Sequence, residues 1–182
     1  MPSLWVKSTI RGQGLWRGAG ELFAHLWAYG LKGTVFGPHG IIDGADELVQ
    51  QLSSFASQGR RISVLRIKGH GGKSSGTGAN APADGSFIFI GETSTIDSDD
   101  FDVDGNLAGT RHAGETKQVL DALKAVLCPG ARLVFTACDQ SAGDLLKNVS
   151  RYLGNGITVA GHSRLGVPWG DGDLRYTDGE PR

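Results

Sequence analysis

Arg61-Ile62-Ser63-Val64-Leu65-Arg66-Ile67-Lys68-Gly69-His70-Gly71 and Arg132-Leu133-Val134-Phe135-Thr136-Ala137-Cys138 decide how this chain is read. Each begins as a short run rich in β-branched and large apolar residues, too short for an ordinary helix and right for a strand. The second is continuously apolar from Leu133 to Phe135, without the alternation of a half-exposed strand. It is therefore expected to lie centrally, buried on both faces of a parallel sheet. Both runs end by delivering a reactive residue type: His70 after the first, Cys138 after the second.

Working outward, helical patterns alternate with such strands from Arg60 onward, the arrangement of a parallel sheet covered by helices. Leu48, Leu52, Phe55 and Ala56 have helical spacing, with Asp43 as an expected N-cap and Gly59 placed to end the helix. Val119, Leu120, Leu123, Val126 and Leu127 line a second helix that Pro129-Gly130 should stop, with Cys128 on its last turn and assigned to packing. Leu145, Leu146, Val149, Tyr152 and Leu153 predict a third, with Ser141 and Asp144 as its N-cap and N3 pair and Gly154 at its end. Thr34-Val35-Phe36, Phe87 to Ile90 and Ile157 to Ala160 predict further strands, and Lys73 to Ser86, rich in Gly, Ser and Ala, a long loop. Residues 1–31 are read as an N-terminal extension, with Leu4 to Ile10 as a strand and Leu22, Phe23, Leu26 and Trp27 as one helical face. Residues 163–182 are read as a C-terminal hairpin or tail around Gly170-Asp171-Gly172.

The chain of 182 residues has the length of one ordinary domain. Lys plus Arg number 18 against 19 Asp plus Glu, a formal net charge of −1, so bulk charge draws it neither to nucleic acid nor to an anionic membrane. No run approaches the roughly 18 apolar residues of a membrane span, and no signal-peptide pattern opens the chain. The expected location is the cytoplasm, with export that needs no signal peptide as the alternative. Two cysteines cannot form a disulfide framework, and no Cys/His spacing fits a zinc module.

Catalytic groups in open α/β sheets collect at the carboxyl ends of the strands, so neighbouring strands would bring His70 to Cys138. A thiolate is the attacking form of cysteine, and an imidazolium or a nearby helix N-terminus stabilises it. Cys138 stands just before the helix expected to begin near Ser141, and His70 is placed to hold the proton and return it to a leaving amine. The N–H groups of Gly71 and Cys138 are candidates to steady an oxyanion.

Two other motifs fail on their own spacing. Gly71-Gly72-Lys73-Ser74 lacks the first glycine of a phosphate-binding loop, Ile67 standing there, and no helical pattern follows it. Gly161-His162-Ser163-Arg164-Leu165 has Leu165 where a nucleophile elbow has glycine, and no histidine follows the serine. Asp100, Asp102, Asp104 and Gly105 reproduce the opening of a calcium loop, but the glutamate that should close it at the twelfth position is absent. No cofactor is required by the chemistry; calcium held by Asp100, Asp102 and Asp104 is the one metal the sequence nominates.

The pattern of an apolar strand, Gly69-His70-Gly71, a variable region and a second apolar strand ending in Ala137-Cys138 resembles the clan CD cysteine peptidases, which include caspases and metacaspases. Over about residues 44–162 it is similar to bacterial caspase-like domains of the CHAT type. The resemblance implies a caspase-like three-layer α/β sandwich, with a mostly parallel central sheet and helices on both faces. It further implies a His70–Cys138 dyad acting on a protein or peptide substrate, with no cofactor required.

 The long Lys73–Ser86 loop is a candidate to close over substrate or to be a site of self-processing; no pocket residue carries over from the family, and Asp139, Asp171 and Asp173 are the candidates to receive a basic substrate side chain. The alternative from a different class is a non-catalytic caspase-like module that binds a partner protein, with Cys138 only packed. Neither nucleic acid nor membrane is expected as a partner, and the sequence does not fix an oligomeric state.

Overall fold

The computed structural model describes residues 3–8, 33–35, 41–42, 44–68, 71–74, 85–91, 94–108, 112–136, 144–162 and 174–176. In chain order the elements are β1 (Ser3–Ser8), β2 (Gly33–Val35), β3 (Ile41–Ile42), α1 (Ala45–Ser57), β4 (Ile62–Lys68), β5 (Gly71–Ser74), β6 (Gly85–Ile90), β7 (Ser94–Asp97), a 3-10 turn (Ser98–Asp100), α2 (Ala113–Val126), β8 (Leu127–Thr136), α3 (Leu145–Leu153), β9 (Thr158–His162) and β10 (Leu174–Tyr176). The fold is mixed α/β. Its main sheet runs β10-β9-β8-β4-β1-β2, with β3 also pairing β1, and every pairing is parallel except that of β9 with β10. A second sheet, β5-β6-β7, is antiparallel throughout.

β8 takes the central place its composition predicts, between β4 and β9. Leu133, Val134 and Phe135 are all fully buried. Leu133 and Phe135 join the principal core with Leu65 and Ile67 of β4, Val159 of β9 and the apolar stripes of the three helices: Leu48, Leu52 and Phe55 of α1, Leu120 and Leu123 of α2, Leu146 and Val149 of α3. Val134, pointing the other way along the strand, forms a separate buried cluster with Ala160. Burial on both sides of one strand explains its unbroken apolar run.

Several local expectations are corrected. Ser3–Ser8 belongs to no mere extension: β1 sits inside the main sheet between β4 and β2, in register with β4 from Ser3↔Val64 to Lys7↔Lys68. α1 has Gly44 at its N-cap, with no side-chain cap bond, while Asp43 lies outside the described residues. Past its C-terminus Gly59 adopts φ +68, the left-handed conformation that glycine takes without steric cost. α2 ends at Val126, and Pro129-Gly130 lies within β8, so Cys128 is a strand residue; it is half-buried against the core, as a packing role requires. Lys73–Ser86 is framed by strands, since Lys73 pairs with Ser86 and Ser74 with Gly85. β10 pairs antiparallel with β9, as a C-terminal hairpin requires; its expected turn residues, Gly170 to Gly172, lie outside the described residues, as do Leu22, Phe23, Leu26 and Trp27.

The small sheet is fastened to the helices through buried hydroxyls. The Ser94 hydroxyl accepts from the Ala45 N–H at the start of α1 and donates to Glu115 Oε1 of α2 at 2.7 Å. The Ser98 hydroxyl accepts from the Ser86 N–H and donates to the Ser86 carbonyl. The Thr116 hydroxyl of α2 donates to Asp100 Oδ2 at 2.6 Å. These bonds satisfy polar groups that burial would otherwise leave unpaired, and they give β5–β7 a fixed base.

Candidate active site

β4 and β8 are adjacent and parallel, and their register runs Val64↔Arg132, Leu65↔Leu133, Arg66↔Val134, Ile67↔Phe135 and Lys68↔Thr136. Both strands therefore end at the same rim of the sheet. Neighbouring strands are about 4.8 Å apart, and His70 and Cys138 each follow a partner of the Lys68–Thr136 pair by two residues. His70, Ala137, Cys138 and Asp139 lie outside the described residues, as do Asp171 and Asp173.

On the histidine side, chain direction is set at both ends. Lys68 is paired with Thr136 in the main sheet, and Gly71, with only Gly69 and His70 between, is paired with Ile88 in the small sheet. Gly72 comes directly opposite Phe87, and a Cβ at Gly72 would stand 3.3 Å from the Phe87 ring. The ring in turn meets Phe89 edge to face, centroids 5.3 Å apart. Glycine at 72 thus permits close approach of strand and ring, a packing reason the sequence reading did not supply.

On the cysteine side, α3 is described from Leu145 with Asp144 as N-cap, so Ser141 and Asp144 do not form the expected N-cap and N3 pair. The first helical residue, Leu145, is seven positions along the chain from Cys138. A second histidine position, His162, ends β9 beside β8: Phe135 pairs with Gly161, the residue before it. Applying the strand-end rule to Ile157–Ala160 would have found that position.

The acidic segment carries hydrogen bonds of its own. Asp100 is buried, and its Oδ2 accepts from the Asp97 N–H and the Thr116 hydroxyl. Asp102 Oδ1 accepts from the backbone N–H of Asn106, the chief cause that lowers its carboxyl from the ordinary value, and from that of Asp104. Asp104 is exposed. Among the described residues no group of three His, Cys, Asp or Glu side chains is arranged to hold a metal ion. Nor is any described helix long and apolar enough to cross a membrane.

Comparison with protein-family models, with curated proteins and with solved structures found no match.

Proposed function

We propose that this chain is a cysteine endopeptidase of caspase-like fold, with His70 and Cys138 as its dyad. The observation that carries the proposal is the parallel β4–β8 register, which puts Lys68 opposite Thr136 and starts both reactive segments from one rim. The finer fold reading, a sheet covered on both faces, is supported by the complete burial of Val134 and Ala160 away from the principal core.

In this reading His70 takes the proton from the Cys138 thiol. The thiolate attacks a substrate carbonyl, forming a C–S bond, and the backbone N–H groups of Gly71 and Cys138 donate to the oxyanion. Collapse breaks the C–N bond as His70 protonates the leaving amine. Water then attacks the thioester, with His70 accepting its proton, and the thiol is regenerated. No metal enters any of these steps.

The test is mass spectrometry of the full chain incubated alone and with a mixed peptide pool. Wild type is expected to cleave, while Cys138→Ala and His70→Ala do not. Cleavage by Cys138→Ala at the wild-type rate overturns the proposal. Alkylation by a mild electrophile at neutral pH should be much faster at Cys138 than at Cys128; equal, slow reaction at both would favour the non-catalytic binding module.

A further inference from the structure

Among the described residues seven polar side chains are buried, and five of them, Ser86, Ser94, Ser98, Asp100 and Thr116, lie in the small sheet, its 3-10 turn and the first turn of α2. A buried hydroxyl or carboxylate returns little net stability once its loss of water is counted, and an apolar pair of the same shape can do as well. What directional bonds add is one fixed arrangement of the elements that carry them.

That arrangement is specific here. β6 and β7 pair from Ile90↔Ser94 to Phe87↔Asp97, so the next rung would set Ser86 against Ser98. The chain instead turns into the 3-10 helix at Ser98. The Ser98 hydroxyl stands in for backbone in that rung, 2.8 Å from the Ser86 nitrogen and 2.9 Å from the Ser86 carbonyl oxygen. Two residues on, Asp100 Oδ2 accepts from the Asp97 N–H at 3.0 Å and from the Thr116 hydroxyl at 2.6 Å. Ser98 thus ties the turn to β6, and Asp100 ties it to α2. β6 in turn carries β5, from Lys73↔Ser86 to Gly71↔Ile88.

Only Gly69 and His70 separate Lys68, paired with Thr136 in the main sheet, from Gly71, paired with Ile88 in the small one. The three links from Lys68 to Gly71 span at most about 11 Å, so a bridge this short follows any displacement of the small sheet. Ile88, Ile90 and Ile96 also pack that sheet into the principal core, but apolar contact has no direction of its own. α2, which carries Thr116, runs without a loop into β8, the strand that leads to Cys138. We propose that Ser98, Asp100 and Thr116 are positioning residues for His70: their bonds set the small sheet against α2, and with it the place of the imidazole relative to the end of β8. The proposal rests on the peptidase reading for what His70 does, and on the hydrogen bonds alone for where it is held.

Ser98→Ala, Thr116→Val and Thr116→Ser in the full chain test it, each at a temperature where urea titration shows the variant folded. Three readouts are taken: kcat and KM on a peptide cleaved by wild type, the pH profile of alkylation at Cys138, and the His70 imidazole signal in NMR spectra, assigned with His70→Gln. Ser98→Ala and Thr116→Val should lower kcat about tenfold to a hundredfold with KM within about threefold, the signature of a misplaced reacting group. Both should slow alkylation of Cys138 at neutral pH and shift or broaden the imidazole signal. Thr116→Ser, which keeps the hydroxyl, should stay within about threefold of wild type. A folded Ser98→Ala or Thr116→Val with wild-type kcat, alkylation and imidazole signal overturns the proposal, as does a Thr116→Ser no better than Thr116→Val. If wild type neither cleaves peptides nor alkylates faster at Cys138 than at Cys128, the peptidase reading falls by itself. The imidazole signal then decides the positioning role: displaced in both variants it stands, unchanged in either it is overturned.

Discussion

Lys68 of β4 lies opposite Thr136 of β8 in a parallel pairing, and the chain runs on from these two positions to His70 and to Cys138. Each strand is held in the middle of the sheet, β4 between β1 and β8, β8 between β4 and β9. A slip by one residue would turn Leu133 and Phe135 out of the principal core, so packing fixes the register.

Lengthening one tether tests that relation. One glycine inserted after Thr136 adds about 3.8 Å of chain between the paired position and Cys138. The proposed peptide hydrolysis should fall at least about a hundredfold, while the urea midpoint moves little because the insertion leaves both strands paired. Retained activity would separate the chemistry from the register.

The Gly105 turn offers a coupled pair of substitutions. Gly105 has φ +75, and a Cβ there would meet Arg151 Nη1 at 2.2 Å and Asn148 Oδ1 at 2.7 Å. Gly105→Ala should destabilise the fold by about 1–3 kcal/mol, from left-handed strain together with expulsion of the Arg151 guanidinium. In an Arg151→Ala background the same change should cost less, because the clash with the guanidinium is gone. A double-mutant cycle by urea unfolding measures the difference.

Thr116→Val keeps the shape of a fully buried side chain and removes its hydroxyl. The Asp100 carboxylate, itself 1% exposed, then loses the donor at 2.6 Å. A loss of about 1.5–3 kcal/mol is expected, the range for a hydrogen bond to a charged group. Equilibrium unfolding reads it, and a neutral result would mean that water replaces the hydroxyl.

The Lys117–Asp121–Tyr152 cluster sets two pH arms of opposite sign. The hydrogen bond from Lys117 holds the Asp121 carboxyl below its ordinary value, so its contribution to stability is present above about pH 4 and is lost as pH falls through the folded value. Burial, then the hydrogen bond to Asp121, push the Tyr152 phenol up. Its contribution is present below about pH 10 and is lost as pH rises through the folded value. Asp121→Asn should flatten the acid arm and bring the Tyr152 titration down. Ultraviolet difference titration against Tyr152→Phe isolates that phenol from the chain's other two tyrosines.

Much of the architecture was legible wherever a segment's own pattern matched its final surroundings. The stripe Leu48, Leu52, Phe55 became the buried face of α1, and Leu133-Val134-Phe135 became a strand enclosed on both sides. Where neighbours decide, the sequence misled. Pro129-Gly130 reads as a helix stop, yet β8 begins at Leu127 and includes both. Lys73 and Ser74 read as the start of a loop because nothing in their composition favours a strand, and only their pairing with β6 makes them one.

The alternation of strand and helix patterns, and the placing of His70 and Cys138 two residues beyond two apolar runs, came from the sequence alone, since periodicity and turn chemistry are local properties. That β4 and β8 are neighbours, that β1 joins them in the sheet, and that Asp100 turns inward to Thr116 were decided only by tertiary structure. Strand order and the direction of a buried carboxylate follow from which surfaces pack together. That choice is made between segments far apart in the chain, where no local pattern records it.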